Sequence, residues 1–338
     1  NTCLLCTAYS WWLYLYSIVF IKATQTDNFQ SMKLSTYCSS NMQARASSSM
    51  AKHVRQKGKV VFVMGPTGTG KSRLAIDLAV RYPAEIINCD KIQVHRGLEI
   101  ATNKITKEEG RGVPHHLLGT FDPSVDLTAE DFAVSAGRVI TSLLTRDKLP
   151  IVVGGSNSYI KALAGSGDGE FPQRYDCCFL WVDVALPVLQ SFVSERVDRM
   201  VDNGLIEEVR GIFQVSNRDY SRGIRRAIGV PEMDYYFRHE VLLNDDDRRE
   251  ALNDAVLSIK ENTFLLAIKQ LQKIHSLRST WRWNIHRIDA TEAFIRTGDD
   301  ADVAWENLVL RPSASIIDHF LRVPSLKEIT LRAVAARR

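Results

Sequence analysis

Cysteine runs out early in this chain. The six cysteines are Cys3, Cys6, Cys38, Cys89, Cys177 and Cys178, and none follows. The carboxyl-terminal half therefore has no cysteine-ligated zinc module. Cys3-x-x-Cys6 sits among apolar residues with no histidine or second cysteine pair nearby, so its spacing gives no zinc site. Cys177 and Cys178, adjacent on a strand, would face opposite ways, and free thiols in a reducing compartment fit best. A basic excess is also missing. The 338 residues hold 43 Lys and Arg against 39 Asp and Glu, but six of the basic residues and a single acid fall in 1–58, leaving 37 against 38 in the body. A protein that grips a long nucleic acid usually carries more positive charge than that. The body shows no internal repeat and no low-complexity tract. With 45% apolar and 24% charged residues it can fill a core of ordinary globular type.

What is present is organised around Gly65-Pro66-Thr67-Gly68-Thr69-Gly70-Lys71-Ser72, which matches G-x-x-x-x-G-K-S at every position. Lys59–Met64 before it reads as a buried strand, and Arg73–Val80 after it has apolar residues at helical spacing. Strand, glycine loop and helix are what anion binding needs. Glycine removes the Cβ that would block a close approach, and backbone N–H groups at the helix start point at phosphate oxygens. Lys71 adds a mobile positive charge, and Ser72 a hydroxyl for a magnesium ion. The alternative is a tight strand-to-helix turn without a ligand.

Further strands are expected at Ala84–Cys89, Leu149–Val153 and Phe179–Val184. The first of these ends at Asp90, where open α/β sheets place their ligands, although an aspartate there also suits a turn or cap. A loop and short helix are expected over Lys91–Lys104. Neighbouring His115 and His116 suit packing better than a shared metal. Thr128 caps an expected helix to about Thr145, with Asp131 in its first turn. The strand ending at Val153 runs into Gly154-Gly155, where ordinary phosphate-loop ATPases and kinases place a magnesium-ordering aspartate. Asp183 lies near the end of the next strand. Past Pro187 the pattern is mostly helical, with helices expected at Leu189–Val201, Leu205–Val215, Ile224–Phe237, Asp246–Ile274 and Ser313–Leu321. Lys260, Lys269 and Lys273 lie along the longest of these, where a solvated face is the plain reading.

The amino-terminal extension reads separately. Residues 3–21 form an uncharged apolar run, which alone would suggest a membrane span or signal. The chain begins at Asn1, and Met32 and Met50 are plausible starts. From Met32 to Lys59 the sequence is rich in Ser, Lys and Arg and has no acid, as transit peptides are; a tail without an address has the same composition. We expect 1–58 to be a disordered or targeting extension, 59–186 a phosphate-loop α/β core, and 187–338 a mainly helical region that packs on it and forms the donor and acceptor channel. The fold class is α/β, a parallel sheet flanked by helices, with no membrane role for the body.

Six blocks in order carry a resemblance: GPTGTGKS at 65–72, NCDKIQVHRGLEIATNK at 88–104, GVPHHLLGTFDPS at 112–124, LPIVVGGSNSYI at 149–160, WVDV at 181–184 and IRRAIGVPE at 224–232. Together they make the body resemble the isopentenyltransferase family, and within it the plant-type adenylate branch that starts cytokinin synthesis. GGSNS looks like that branch, where enzymes acting on tRNA usually read GGTGLY, and the absent late cysteines match its lack of a zinc finger. One departure is His95, where the family usually has tyrosine; it could alter packing around acceptor or prenyl group.

The resemblance implies transfer of a dimethylallyl group from dimethylallyl diphosphate to N6 of the adenine of ATP or ADP, and less favourably AMP. It implies that the loop residues Gly65, Pro66, Thr67, Gly68, Thr69, Gly70, Lys71 and Ser72 hold the donor diphosphate with Mg2+ on Ser72. Asp90 would be the general base, and Thr67 and Lys71 would act at the reacting centre. Arg226 and Lys269 or Lys273 would neutralise substrate phosphates, and Asp183 is a weaker candidate for nucleotide contact. A monomer in the plastid is expected, with cytoplasm and mitochondrion as alternatives, and no stable nucleic-acid partner. Rival readings are the same chemistry on tRNA adenosine, a small-molecule kinase, and a nucleotide-binding module without catalysis.

Overall fold

The computed structural model describes residues 57–165 and 170–323, all within one compact unit. The apolar run and the expected targeting segment lie outside the described residues. Six strands form one parallel sheet: β1 (Gly58–Met64), β2 (Ala84–Asn88), β3 (His115–His116), β4 (Leu149–Gly154), β5 (Tyr175–Asp183) and β6 (Ile285–Asp289), in the order β3-β2-β4-β1-β5-β6. Such a sheet, covered by helices on both faces, reads as nearly continuous apolar runs. β1 shows this directly. Val61 and Val63 enter the core on one face, and Val60, Phe62 and Met64 the core on the other. Cys178 and Cys177 likewise pack on opposite faces as free thiols.

One face is covered by α1 (Lys71–Arg81) and α11 (Arg311–Arg322), the other by α2 (Ala129–Thr145) and α3 (Asn157–Ala164). Between α3 and β5 lies the short α4 (Glu170–Arg174). Thr128 forms a full capping box with Asp131 at the start of α2, as its spacing requires. Beyond β5 come α5 (Leu186–Asp202), α6 (Leu205–Arg210), α7 (Asp234–His239) and the 35-residue α8 (Asp245–Ser279), and past β6 the short α9 (Thr291–Ile295) and α10 (Gly298–Trp305). Asn244 caps α8 by accepting from the amides of Asp246 and Asp247. Its buried stripe, Ala255, Ile259, Thr263, Ala267, Gln270, Ile274 and Leu277, follows helical three- and four-residue spacing.

The structure corrects several boundaries. No continuous helix spans 224–237. The backbone makes one 3₁₀ turn at Gly223–Arg226, and α7 begins only at Asp234. Gly229 at φ +107° and Pro231 break the helical path between them. Helix α6 stops at Arg210 rather than continuing to Val215. Residues 91–104 form turns and no helix, with Leu98 and Asn103 in the left-handed region. The region expected to be helical also returns an edge strand, β6, which pairs with β5 from Phe179↔Ile285 to Asp183↔Asp289. Among the described residues no helix is long and apolar enough to cross a membrane.

Register places the site. Met64 pairs with Gly154 on one side and Trp181 on the other, so β1 and β4 end together and β5 runs two residues further, to Asp183. Asn88 pairs with Val153, which brings Asp90 to the same edge. The loop after β1 emerges amid the carboxyl ends of its neighbours, where open α/β sheets bind ligands.

Candidate active site

The loop adopts the shape its glycines allow. Gly65 at φ +154° lies so close to β5 that a Cβ would come 2.3 Å from the Val182 carbonyl oxygen. Gly68 and Gly70 are left-handed, and Cβ atoms there would strike Val193 at 2.6 Å and Trp305 at 2.7 Å. Thr69 is buried, and its hydroxyl donates to the Pro66 carbonyl at 2.9 Å. Lys71 opens α1 and folds back so that Nζ donates to the same carbonyl at 2.6 Å. Burial, and then the nearby Arg196 guanidinium, push the Lys71 pKa down to about 7, while the Asp90 carboxylate pulls the other way. Ser72 is exposed and shares a small cavity with Asn88, Gln93, His115 and Val153.

Two helices reach into the loop at Thr67. From α5, Arg196 Nη2 donates to Thr67 Oγ1 at 3.1 Å. From α8, Gln270 Oε1 accepts from the Thr67 amide at 2.7 Å. Burial drives the Arg196 pKa down to about 10, with Arg199 adding to the effect, and its buried Nε has no hydrogen-bond partner among the described residues. Two cations, Lys71 and Arg196, thus crowd one loop. Buried like charges are costly unless an anion joins them.

Asp90 is held by its own turn. Oδ1 accepts from the amides of Ile92 at 2.9 Å and Gln93 at 3.2 Å, and among the described residues no hydrogen bond occupies Oδ2. The next amide, of Lys91, donates to Ser156 Oγ at 3.0 Å, so the serine of Gly-Gly-Ser-Asn fixes the carboxylate's backbone. The two glycines before it have a steric cause. A Cβ on Gly154 would lie 1.9 Å from the Cys89 carbonyl oxygen, and one on Gly155 would lie 2.3 Å from Gln270 Nε2. This strand end has no space for a magnesium-ordering acid.

A second group of charges lies beyond Asp90. The Lys91 pKa is lowered by burial and then by Lys273 and Arg226, with Asp126 and Asp90 opposing. Arg226 Nη2 lies 3.0 Å from Asp126, and Lys91 Nζ sits 5.4 Å over the Tyr159 ring. Lys273 is therefore near the site. Lys269 is exposed and points about 100° away from Gln270 around α8, against about 60° for Lys273. Lys260 is tied to Asp198 at 2.6 Å. Arg225, unlike Arg226, turns inward to the carbonyls of Ile212, Asn217 and Asp219. Asp183 pairs with Arg287 of β6 at 2.7 Å, which gives it a part in joining the strands. His95 is fully buried, bonds the Asp122 carbonyl through Nδ1 at 3.0 Å, and has its pKa lowered by burial, so a neutral ring donates from Nδ1. His115 bonds the Val113 carbonyl, and His116 bonds Glu85. No group of three or more His, Cys, Asp or Glu among the described residues is placed to hold a metal.

Sequence reasoning missed Arg196, Gln270, Lys91 and Ser156. Ser156 and Lys91 lay inside quoted blocks, but nothing local set Arg196 or Gln270 apart from other helical residues.

The site thus combines a glycine loop of anion-binding shape, two nearby cations and an oriented carboxylate, without an acid at the end of β4. The profile of the family described as IPP transferase matches residues 93–174 and 164–276. The chain belongs to that family. It is 61% identical over 269 residues to adenylate isopentenyltransferase 5, chloroplastic, of Arabidopsis thaliana, covering 79% of this chain and 81% of that one. It is 56% identical to adenylate isopentenyltransferase 3, chloroplastic, of the same plant, covering 83% and 86%, and 56% identical to the mitochondrial adenylate isopentenyltransferase 7, covering 78% and 80%. Among solved structures, a full-length tRNA isopentenylpyrophosphate transferase from Bacillus halodurans shares the fold with TM-score 0.59 and 26% identity, covering 78% of this chain and all of that one. A eukaryotic dimethylallyltransferase acting on tRNA superposes with TM-score 0.66 at 22% identity, covering 80% and 81%.

Proposed function

We propose that this chain transfers a dimethylallyl group from dimethylallyl diphosphate to N6 of the adenine of a free nucleotide, ATP or ADP and less readily AMP, with the Gly65–Ser72 loop holding the departing diphosphate. One observation carries the assignment of the loop: Lys71 and Arg196 converge on it as paired cations, next to a strand end where Gly154 and Gly155 leave no room for a kinase's acid. In the reaction the bond between the allylic carbon and the diphosphate oxygen breaks, and the electron pair leaves with the diphosphate. The N6 lone pair forms the new carbon–nitrogen bond, and the N6 proton passes to Asp90. The carboxylate suits this role because the amides of Ile92 and Gln93 aim it while Oδ2 stays available. Loop amides, Lys71 and Arg196 stabilise the charge that grows on the leaving group. Thr67, fixed through both its amide and its hydroxyl, stands at the mouth of the cradle. Lys91, Arg226 and Lys273, which influence one another electrostatically, are the cations we assign to the acceptor's phosphates.

Magnesium fits here as a partner of the diphosphate rather than of the bare protein. Ser72 offers one hydroxyl, and such an ion keeps several waters and phosphate oxygens as ligands. It would supply further stabilisation of charge on the leaving group. The names of the relatives support adenylate over tRNA as acceptor, as does the near balance of charge in the body. Two of the three are named chloroplastic, which supports the plastid as location. The test is to incubate the protein with dimethylallyl diphosphate and, separately, ATP, ADP, AMP and tRNA, and to find the prenylated base by mass spectrometry. Product in the ATP and ADP pools is expected; product in tRNA alone would overturn the choice of acceptor.

A further inference from the structure

Gln270 is an uncharged residue in a buried stripe, and its contacts exceed what packing needs. It is 7% exposed. Its Oε1 accepts from the Thr67 amide at 2.7 Å. Its Nε2 lies against the Gly155 Cα, so close that a Cβ would come within 2.3 Å. Its own backbone carbonyl accepts from Asn157 Nδ2 at 3.1 Å, and Asn157 is itself 4% exposed. One residue of α8 therefore touches the phosphate loop, the end of β4 and the start of α3. These are the three segments that carry Thr67, the Gly-Gly pair and the Ser156 anchor of Lys91.

We propose that Gln270 is a positioning residue that sets the separation between the donor cradle and the acceptor side of the site. The inference rests on the function proposed above. Gln270 fixes Thr67 on the donor side, and Lys273, three residues on along the same helix, is close enough to Lys91 to act on its charge. Helix α8 thus acts as a ruler whose zero mark is the Gln270–Thr67 bond. Without that bond, the Arg196 contact to Oγ1 is the one side-chain hydrogen bond to Thr67 left among the described residues. A shift of even about 1 Å between two reacting groups can cost roughly a hundredfold in rate. The glycine at 155 follows from the same arrangement, because any side chain there would push Gln270 off the loop.

Steady-state kinetics on two variants test this. Gln270→Met keeps the volume and removes the acceptor. Its kcat should fall about ten- to a hundredfold, with KM for ATP within about twofold of the wild type and the melting temperature shifted by only a few degrees. Gln270→Glu keeps an oxygen on the Thr67 amide but adds a negative charge near the donor. It should recover most of kcat at saturating donor while raising KM for dimethylallyl diphosphate. Wild-type kcat in Gln270→Met would overturn the proposal. So would equal loss in both variants with KM for ATP changed in proportion, which marks a merely structural role. If Gln270→Met does not fold, Gln270→Glu decides alone, because a low kcat at saturating donor refutes positioning. A wild-type protein that makes no prenylated nucleotide would instead refute the proposed function.

Discussion

Gly154 sits so close to Cys89 that a Cβ on the glycine would lie 1.9 Å from the Cys89 carbonyl oxygen. Strands β2 and β4 are still paired here, the Cys89 amide donating to the Val153 carbonyl at 2.7 Å, and Asp90 follows directly, close enough to the loop to act on Lys71. The missing acid and the present base are thus two results of one close approach. Gly154→Asp, which restores the kinase pattern, should create no phosphoryl transfer and should destabilise the fold by about 3 kcal/mol or more, by overpacking against backbone. Thermal unfolding measures it; a variant as stable as the wild type would contradict the packing argument.

Asp90 is aimed by two backbone amides, and its replacement should spare the fold. Asp90→Asn keeps an oxygen for those amides and cannot take up a proton at neutral pH. Turnover should fall about a hundredfold or more, while ADP binding by calorimetry stays within a few-fold of the wild type. Near-normal turnover would exclude Asp90 as the base.

Lys71 gives the site a pH dependence with a definite sign. Burial and Arg196 hold its pKa down at about 7 in the free protein, against 10.5 ordinarily. The bound diphosphate favours the charged ammonium and raises that pKa. Below pH 7 Lys71 is already charged and donor affinity should be flat. Above pH 7 binding must take up a proton, so affinity should weaken by up to about tenfold per pH unit. Calorimetry of a non-reactive diphosphate analogue in buffers of different ionisation enthalpy reads both the affinity and the proton uptake. Affinity that rises from pH 7 to 9 would contradict this assignment.

Arg196 is the cation with no counter-charge in the loop. Arg196→Lys keeps a charge but cannot hold both Thr67 and a phosphate with a planar fork. Donor KM should rise about tenfold in that variant, and more in Arg196→Met, with acceptor KM little changed. Equal effects on both substrates would place Arg196 elsewhere in the mechanism.

The loop and Asp90 were legible because their signals are local. Eight consecutive residues define the cradle, and an aspartate after a buried strand marks the sheet's carboxyl edge. Arg196 and Gln270 were not legible, because each meets Thr67 across more than a hundred positions of chain. Strand β6 escaped notice because Ile285-His286-Arg287-Ile288-Asp289 is short and half polar, as an edge strand can be. The helix expected over 224–237 failed on its own punctuation: Gly229 and Pro231 were in the sequence, but apolar periodicity outweighed them. Arg225 and Arg226, indistinguishable as a pair, separate only in three dimensions, one serving three carbonyls and the other facing Asp126.

The central claim is that a loop of nucleotide-triphosphate pattern holds the prenyl donor, while the adenine nucleotide binds opposite it. Calorimetry on Lys71→Ala tests this most directly, with a non-reactive analogue of dimethylallyl diphosphate and with ADP titrated separately. The account predicts that the analogue's affinity falls at least about tenfold while ADP binds much as it does to the wild type. Loss of ADP binding with the analogue unaffected would contradict it.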